Sequence, residues 1–323
     1  MPPNRIVENP VINSPYEMPA RHFRFDAEGI TNEMVEDRRS SAYFIPIPQA
    51  RNHRGGDNQM TLKDGQGLDR FQENVRINQI RDAVGKWRLG GYLGVTSTTK
   101  RLLDHWTNPA RDKKLFFCLI EALETVIYLA EAAKQFRDGW ILDAIREANE
   151  EANPGLFRLA LKMATGSGKT VVMGMLIAWQ VLNKIANPRN ALFTDSFLII
   201  TPGITIRDRL RVLLPADPEN YYKQRDLVPH YLIDELGSAR IVITNFQAMI
   251  PREKIAAGKL TKSILGGDAS GAFIETPAQM VRRVCRELGQ DRPVIVINDE
   301  AHHCYRHKQE AEEGEELRGE ERK

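Results

Sequence analysis

The sequence predicts an α/β fold: a doubly wound, mostly parallel sheet with an accessory region at its N-terminal side. Three observations carry that prediction. Short apolar runs at 156–163, 196–201, 240–244 and 294–297 alternate with helical stretches, the pattern of strands buried on both faces of a parallel sheet. The first of those runs breaks into a glycine turn and then an apolar helix, so strand, tight loop and helix follow one another directly. The chain's distinctive polar residues fall where predicted strands stop, which is where such sheets place ligands.

The turn comes first because it has the most chemistry. Residues 159–170 read L-A-L-K-M-A-T-G-S-G-K-T, and 171–182 continue as an apolar helix. Glycines let successive backbone N–H groups turn inward as an anion nest. The helix N-terminus adds unpaired N–H groups and a partial positive charge. Thr165, Gly166, Ser167 and Gly168 therefore form a phosphate cradle, Lys169 adds a full charge for the outer phosphates, and Thr170 offers a hydroxyl to Mg²⁺. The strict pattern G-x-x-x-x-G-K-[ST] asks for glycine where this chain has Met163. The cradle is made by the backbone from Gly166 to Thr170, so that glycine is the part the chemistry needs least.

Composition narrows the function classes. The 323 residues are enough for about two domains. Hydrophobic content of 42% and charged content of 27% are those of a globular protein. A net charge of +2 restricts any nucleic-acid surface to a local patch. Cys118, Cys285 and Cys304 are scattered and odd in number, which argues against a disulfide framework and for a reducing compartment. With neither a signal peptide nor a membrane-length apolar run, the chain reads as cytoplasmic, with no membrane partner.

In chain order, residues 1–60 are rich in proline and poor in pattern, and read as a partly ordered terminus. Within them 42–48 is held by its prolines to an edge strand or extended segment. Residues 71–87 show a helical stripe at Val75, Ile77, Ile80 and Val84. A short helix is predicted around 102–106, a strong one over 114–133 and another over 141–151, before a turn at Asn153, Pro154 and Gly155. Beyond the cradle helix, 207–214 reads as a helix, 215–229 as a loop, and 278–288 as a helix before the fourth strand. The stretch between the third strand and that helix is irregular around Gly266, Gly267 and Asp268. The tail 309–323 is glutamate-rich and solvated.

The fourth strand runs into Asn298, Asp299, Glu300, Ala301 and His302. Phosphoryl transfer needs a metal held opposite the cradle and a group that orients the attacking water. Asp299 suits the first task, through water, because magnesium keeps much of its hydration shell. Glu300 suits the second.

M-A-T-G-S-G-K-T at 163–170 followed by D-E-A-H at 299–302 resembles the motor of superfamily 2 helicases of the DEAH-box kind. Within them, N-D-E-A-H-H-C-Y at 298–305 and I-T-N-F-Q-A-M at 243–249 are most similar to the Res subunit of type III restriction enzymes. The resemblance covers 114–307. It implies a RecA-like P-loop NTPase domain that binds ATP and Mg²⁺ through the cradle residues. Lys169, Asp299 and Glu300 would act in catalysis, and His302 would couple nucleotide state to the next motif. It also implies that Thr201, Pro202 and Gly203, with Thr244 and Asn245, touch the DNA backbone. Small polar residues at strand ends can hold phosphates without reading bases, as a translocating motor requires; by itself Thr-Pro-Gly reads equally well as a plain turn.

Two departures stand out. Relatives often carry an adenine-recognising glutamine ahead of the cradle, and here Leu119 stands at that place. The chain also ends soon after His302. The Ser-Ala-Thr motif, the second RecA-like domain with its arginine finger, and any nuclease motif are therefore not found, and a fragment that binds ATP but hydrolyses it slowly is expected.

Two other clusters have bland readings. His302, His303, Cys304 and His307 lack the separated ligand pairs of a structural zinc site. Tyr221, Tyr222, Lys223, Gln224 and Arg225 mix aromatics with charge, and read as a solvated loop before a base-stacking surface.

The sequence thus divides into an accessory region at 1–105, a first RecA-like ATP-binding domain at 106–308, and the tail. The function expected is ATP hydrolysis that drives movement along DNA, with a modification methyltransferase as a candidate partner. A nucleotide-binding switch without turnover is the alternative.

Overall fold

The computed structural model describes residues 9, 11–26, 29–45, 70–152, 154–252, 275–289 and 292–301. The expectations for 51–56, 266–268, His302, His303, Cys304, His307 and the tail 309–323 lie outside the described residues. So does Asn153.

Seven strands are described: β1 His22–Asp26, β2 Gly29–Val35, β3 Ala42–Ile45, β4 Arg70–Glu73, β5 Ser196–Thr201, β6 Arg240–Asn245 and β7 Ile295–Asn298. The described α-helices are α1 Val75–Leu89, α2 Ser97–Thr107, α3 Phe117–Ile127, α4 Gly139–Ala152, α5 Lys169–Ala186, α6 Ile204–Arg209, α7 Tyr221–Gln224 and α8 Pro277–Val284. A π-helical turn, Tyr128–Ala132, extends α3. The chain forms two compact units: Met1–Leu192 with Tyr221–Glu235, and Phe193–Asn220 with Leu236–Lys323.

In the first unit α5 packs against α2 and α3. It is apolar nearly all round, because Met175, Ile177, Ala178, Trp179, Val181 and Leu182 are all buried. Opposite it lie Leu102, Leu103 and Trp106 of α2 and Leu123 and Ile127 of α3. Polar groups inside this bundle are satisfied. The Glu131 carboxylate accepts from the Thr96 N–H at 2.8 Å, the Thr99 hydroxyl at 2.7 Å and the Trp179 indole N–H at 2.9 Å.

Glu124, with a fully buried side chain, is the electrostatic centre of the same bundle. It accepts from Arg88 Nε at 2.9 Å and Nη2, and from the Tyr92 hydroxyl at 2.5 Å. Burial, reinforced by the adjacent carboxylate, pushes the Tyr92 phenol well above its ordinary pKa. Glu124→Ala should therefore strand a partly buried guanidinium and a buried hydroxyl. The expected loss is about 3–5 kcal/mol of unfolding free energy in a urea titration, typical of removing one partner of a buried pair. A loss within about 1 kcal/mol, the range of exposed pairs, would show that this network does not brace the bundle.

The N-terminal segment departs from the sequence expectation. Residues 11–26 and 29–45 belong to the first unit and carry strands, where a partly ordered terminus was expected. β1 and β2 form an antiparallel hairpin, and β3 pairs with β4. Pro15 O accepts the Phe117 N–H at 2.8 Å, and Arg38 grips Glu121 through two bonds of 2.6 Å. The prolines hid this because the docking uses backbone groups and one Arg–carboxylate fork, neither of which leaves a periodic pattern.

α1 also begins later than the stripe suggested. Residues 70–73 are strand, Val75 and Ile77 are exposed, and the buried face is Val84 and Trp87. The loop predicted over 215–229 contains α7, whose Tyr222 is 1% exposed core; the Trp106 indole N–H donates to Leu227 O at 2.8 Å. That segment is a pinned structural turn and not a solvated loop.

The second unit holds a parallel sheet of order β6-β5-β7. β5 is central and buried, with Phe197 and Ile199 at 0% exposure. β6 is half-buried throughout, and β7 leaves Val296 52% exposed. These two were expected to be buried on both faces. Each has one paired neighbour among the described residues, so a flank of each stays open.

The first apolar run, 156–163, is not a strand. Leu156, Phe157, Leu159 and Leu161 are exposed, and no described strand pairs with the run. Its backbone is tied at one residue by a side chain: the Asn149 amide accepts from the Arg158 N–H at 2.7 Å and donates to Arg158 O at 3.0 Å. A strand exists only through its ladder, and hydropathy alone cannot supply a partner.

Candidate functional site

The glycine turn keeps the geometry that its residues suggested. Gly166 has φ +78° and Gly168 φ +101°, both in the left-handed region. Ser167 closes the turn on Ala164 O through its N–H at 3.3 Å and its hydroxyl at 2.6 Å. Gly168 is the N-cap of α5, and Val171 N–H returns to Gly168 O at 2.8 Å. Lys169 and Thr170 thus form the first helical turn, where N–H groups lack intrahelical acceptors and the helix dipole is positive. Thr165 and Gly166 are exposed, and a Cβ added at Gly166 would meet nothing within 4 Å. Such a helix start suits an anion, and here it carries a lysine and a hydroxyl.

Gly168 is different because Leu119 of α3 closes over it. A Cβ at Gly168 would lie 3.1 Å from Leu119 Cδ2. Gly168→Ala therefore combines left-handed strain of about 1–2 kcal/mol with a side-chain collision, whereas Gly166→Ala carries the strain alone. Thermal unfolding should rank Gly168→Ala below Gly166→Ala, and adding Leu119→Ala should remove that difference by opening the space. An equal loss in the two glycine variants would mean that the Leu119 contact is immaterial.

The other predicted residues sit in the second unit, at the carboxyl edge of its sheet. Register pairs Thr201 with Asn245 and Ile200 with Asn298, so the ends of all three parallel strands share one edge. Thr201 is buried, and its hydroxyl donates to Gly203 O at 2.9 Å and reaches Thr244 O at 3.3 Å. Asn245 caps the 3₁₀ turn Phe246–Met249 by accepting from the Ala248 N–H at 3.1 Å. Thr201, Pro202, Gly203, Thr244 and Asn245 are thereby brought together, and Thr201 and Asn245 brace the two turns.

Asp299 continues from β7, its N–H donating to Ile200 O at 3.0 Å. Its Oδ1 accepts from the Glu300 N–H at 3.1 Å, and Glu300 has φ +51°. A glutamate in the left-handed region is strained, and such outliers concentrate at functional sites. Both side chains are half-buried at the sheet edge. Among the described residues no group of three or more His, Cys, Asp or Glu is arranged to hold a metal ion. Asp299 at this edge and Thr170 at the start of α5 in the first unit each offer a single oxygen donor, which suits an ion that keeps most of its waters.

A cavity of about 470 Å³ lies away from the turn, walled by Trp87, Tyr128, Phe136 and Trp140. None of the residues that line it belongs to the glycine turn. Two features escaped sequence reasoning: the Leu119 lid on Gly168, and Tyr16, which the docked arm sets beside Phe116 with ring centroids 5.6 Å apart. Only the departure at Leu119 hinted at either.

No helix among the described residues is long and apolar enough to cross a membrane. No curated protein and no solved structure matches the chain. The family described as type III restriction enzyme, res subunit, matches residues 111–316, which include the turn, the strand ends and the Asp299–Glu300 pair. The chain therefore belongs to the type III restriction enzyme Res-subunit family, whose helicase-like domain is a RecA-like P-loop fold with ATPase-type activity.

Proposed function

We propose that this chain is the ATP-binding motor domain of a DNA-dependent ATPase of the helicase-translocase kind, which turns ATP hydrolysis into movement along DNA. The observation that carries the reading is the turn itself: Gly166 and Gly168 in left-handed conformations, leading into α5 at Lys169 and Thr170. Thr165 to Gly168 and the start of α5 hold phosphates, and Lys169 meets the developing negative charge. Thr170 and Asp299 are the residues that would hold Mg²⁺, and Glu300 would orient water and accept its proton. When bound, ATP supplies the phosphoryl group and Mg²⁺ neutralises its charge. His302 couples nucleotide state to the rest of the motor.

Thr201, Pro202, Gly203, Thr244 and Asn245 would contact the DNA backbone through small polar groups, without base readout. The motor domain would span 106–308, with accessory residues at 1–105 and a charged tail beyond. A second motor domain supplying an arginine, and a modification methyltransferase, are the partners this reading calls for. Its compartment would be the cytoplasm.

The test is phosphate release from ATP with and without duplex DNA, on this chain and on a longer product that carries the second motor domain. Slow release from this chain and stimulation by DNA in the longer form are expected. Tight ATP binding with no hydrolysis in either form would overturn the motor reading and favour a nucleotide-binding switch.

A further inference from the structure

The cavity of about 470 Å³ in the first unit has the size of a small-molecule site. Four aromatic rings line it: Trp87 of α1, Tyr128 of the π-helical turn, Phe136 of the loop that follows, and Trp140 of α4. Trp87 and Tyr128 belong to the core, whereas Phe136 is 43% and Trp140 46% exposed, so the cavity has a packed floor and an aromatic rim. The floor is fixed in place. The Trp87 indole N–H donates to Leu93 O at 2.7 Å, and the Tyr128 hydroxyl donates to Asp138 Oδ2. Phe136 and Asp138 flank Arg137, which takes φ +62° as the Asp138 N–H closes the turn on Ala133 O at 3.0 Å. Left-handed backbone at a residue other than glycine and single π-helical turns both concentrate at functional sites. Two carboxylates, Asp82 and Asp138, line the same cavity against one cation, Lys86. Among the described residues, Asp138 Oδ1 and the Asp82 carboxylate accept no hydrogen bond.

We propose that this cavity binds a small organic cation of the alkylated-ammonium class, held by the π-faces of its rings and by Asp82 and Asp138. An aromatic ring carries negative charge on its face, and several rings around a desolvated alkylammonium are the arrangement that recognises such a group. The ring planes of Trp87 and Tyr128 meet at 53° with centroids 5.3 Å apart, and those of Tyr128 and Phe136 at 34° with centroids 6.5 Å apart. These three rings are inclined like the walls of a cage, and no two of them offer the parallel faces that clamp a flat base. The carboxylates act in the same direction: they attract a cation and repel a phosphate, so the site is chemically opposite to the glycine turn.

The test is calorimetric titration of the full chain with choline and with the uncharged alcohol in which carbon replaces its nitrogen. Choline should bind at least about tenfold more tightly than the alcohol. Trp140→Leu keeps an apolar wall and removes a π-face, so it should weaken choline by about fivefold or more and shift the alcohol by less than about twofold. Trp140→Phe should stay near the wild type, and Asp82→Asn should weaken choline alone. Both side chains are exposed, so these variants are expected to fold, which a thermal melt checks. Lys169→Ala should leave choline binding unchanged, because the proposal does not rest on the reading of the glycine turn. Equal affinity for choline and the alcohol would make the cavity merely apolar and overturn the proposal. So would a choline affinity that Trp140→Leu does not move, adenosine bound in preference to choline, or no heat of choline binding up to about 10 mM, beyond the weak end of useful affinity.

Discussion

Lys169→Ala is expected to abolish measurable ATP binding in the micromolar range while the protein stays folded. The argument starts from the position. Lys169 is the first residue of α5, one step beyond a glycine with φ +101°, so its backbone belongs to the turn. Its side chain is half-buried, and the fully packed face of the helix begins at Val172 and Met173. Removing an ammonium group that meets anionic phosphates costs about 2–3 kcal/mol, on the order of a hundredfold in affinity. Isothermal calorimetry measures the affinity, and a thermal melt controls for folding. A variant that binds ATP normally would remove Lys169 from the site. A variant that unfolds would mean that this lysine braces the start of α5.

How far the sequence could be read depended on how local each determinant was. The glycine turn and the start of α5 were legible because their determinants, two glycines and an apolar helix, are specified within a few residues. β5 was legible because a strand buried on both faces must be apolar through its middle, and 197–200 is. What was not legible depended on distant partners. The run 156–163 has the hydropathy of a strand, yet Asn149 is what binds its backbone at Arg158. The arm around Tyr16 read as a partly ordered terminus because its prolines removed periodicity, while its attachment runs through Pro15 O and the Arg38–Glu121 fork. At the candidate site, Leu119 could be seen to be unusual, but its contact with Gly168 could not be read from spacing. Nor does a one-dimensional pattern show that Thr201 and Asn245 stand side by side at the ends of β5 and β6.

Glu300→Gln separates the carboxylate of this residue from the backbone it occupies. Glu300 holds φ +51°, and its N–H donates to Asp299 Oδ1 at 3.1 Å. Glutamine is nearly isosteric, keeps that N–H, and bears the same left-handed strain, about 1–2 kcal/mol for a side chain with a Cβ. The substitution therefore leaves the turn after β7 in place and removes only the charge and the proton-accepting oxygen. If Glu300 orients and deprotonates the attacking water, ATP hydrolysis falls by about 10²–10⁴-fold, while ATP affinity stays within a few-fold of wild type because the cradle in the first unit is untouched. Phosphate-release kinetics and calorimetry on the same preparation give the two numbers. A parallel loss of binding and turnover would make Glu300 a structural residue of its turn. Unchanged turnover would leave the strained backbone, and not the carboxylate, as the feature of this site that needs a function.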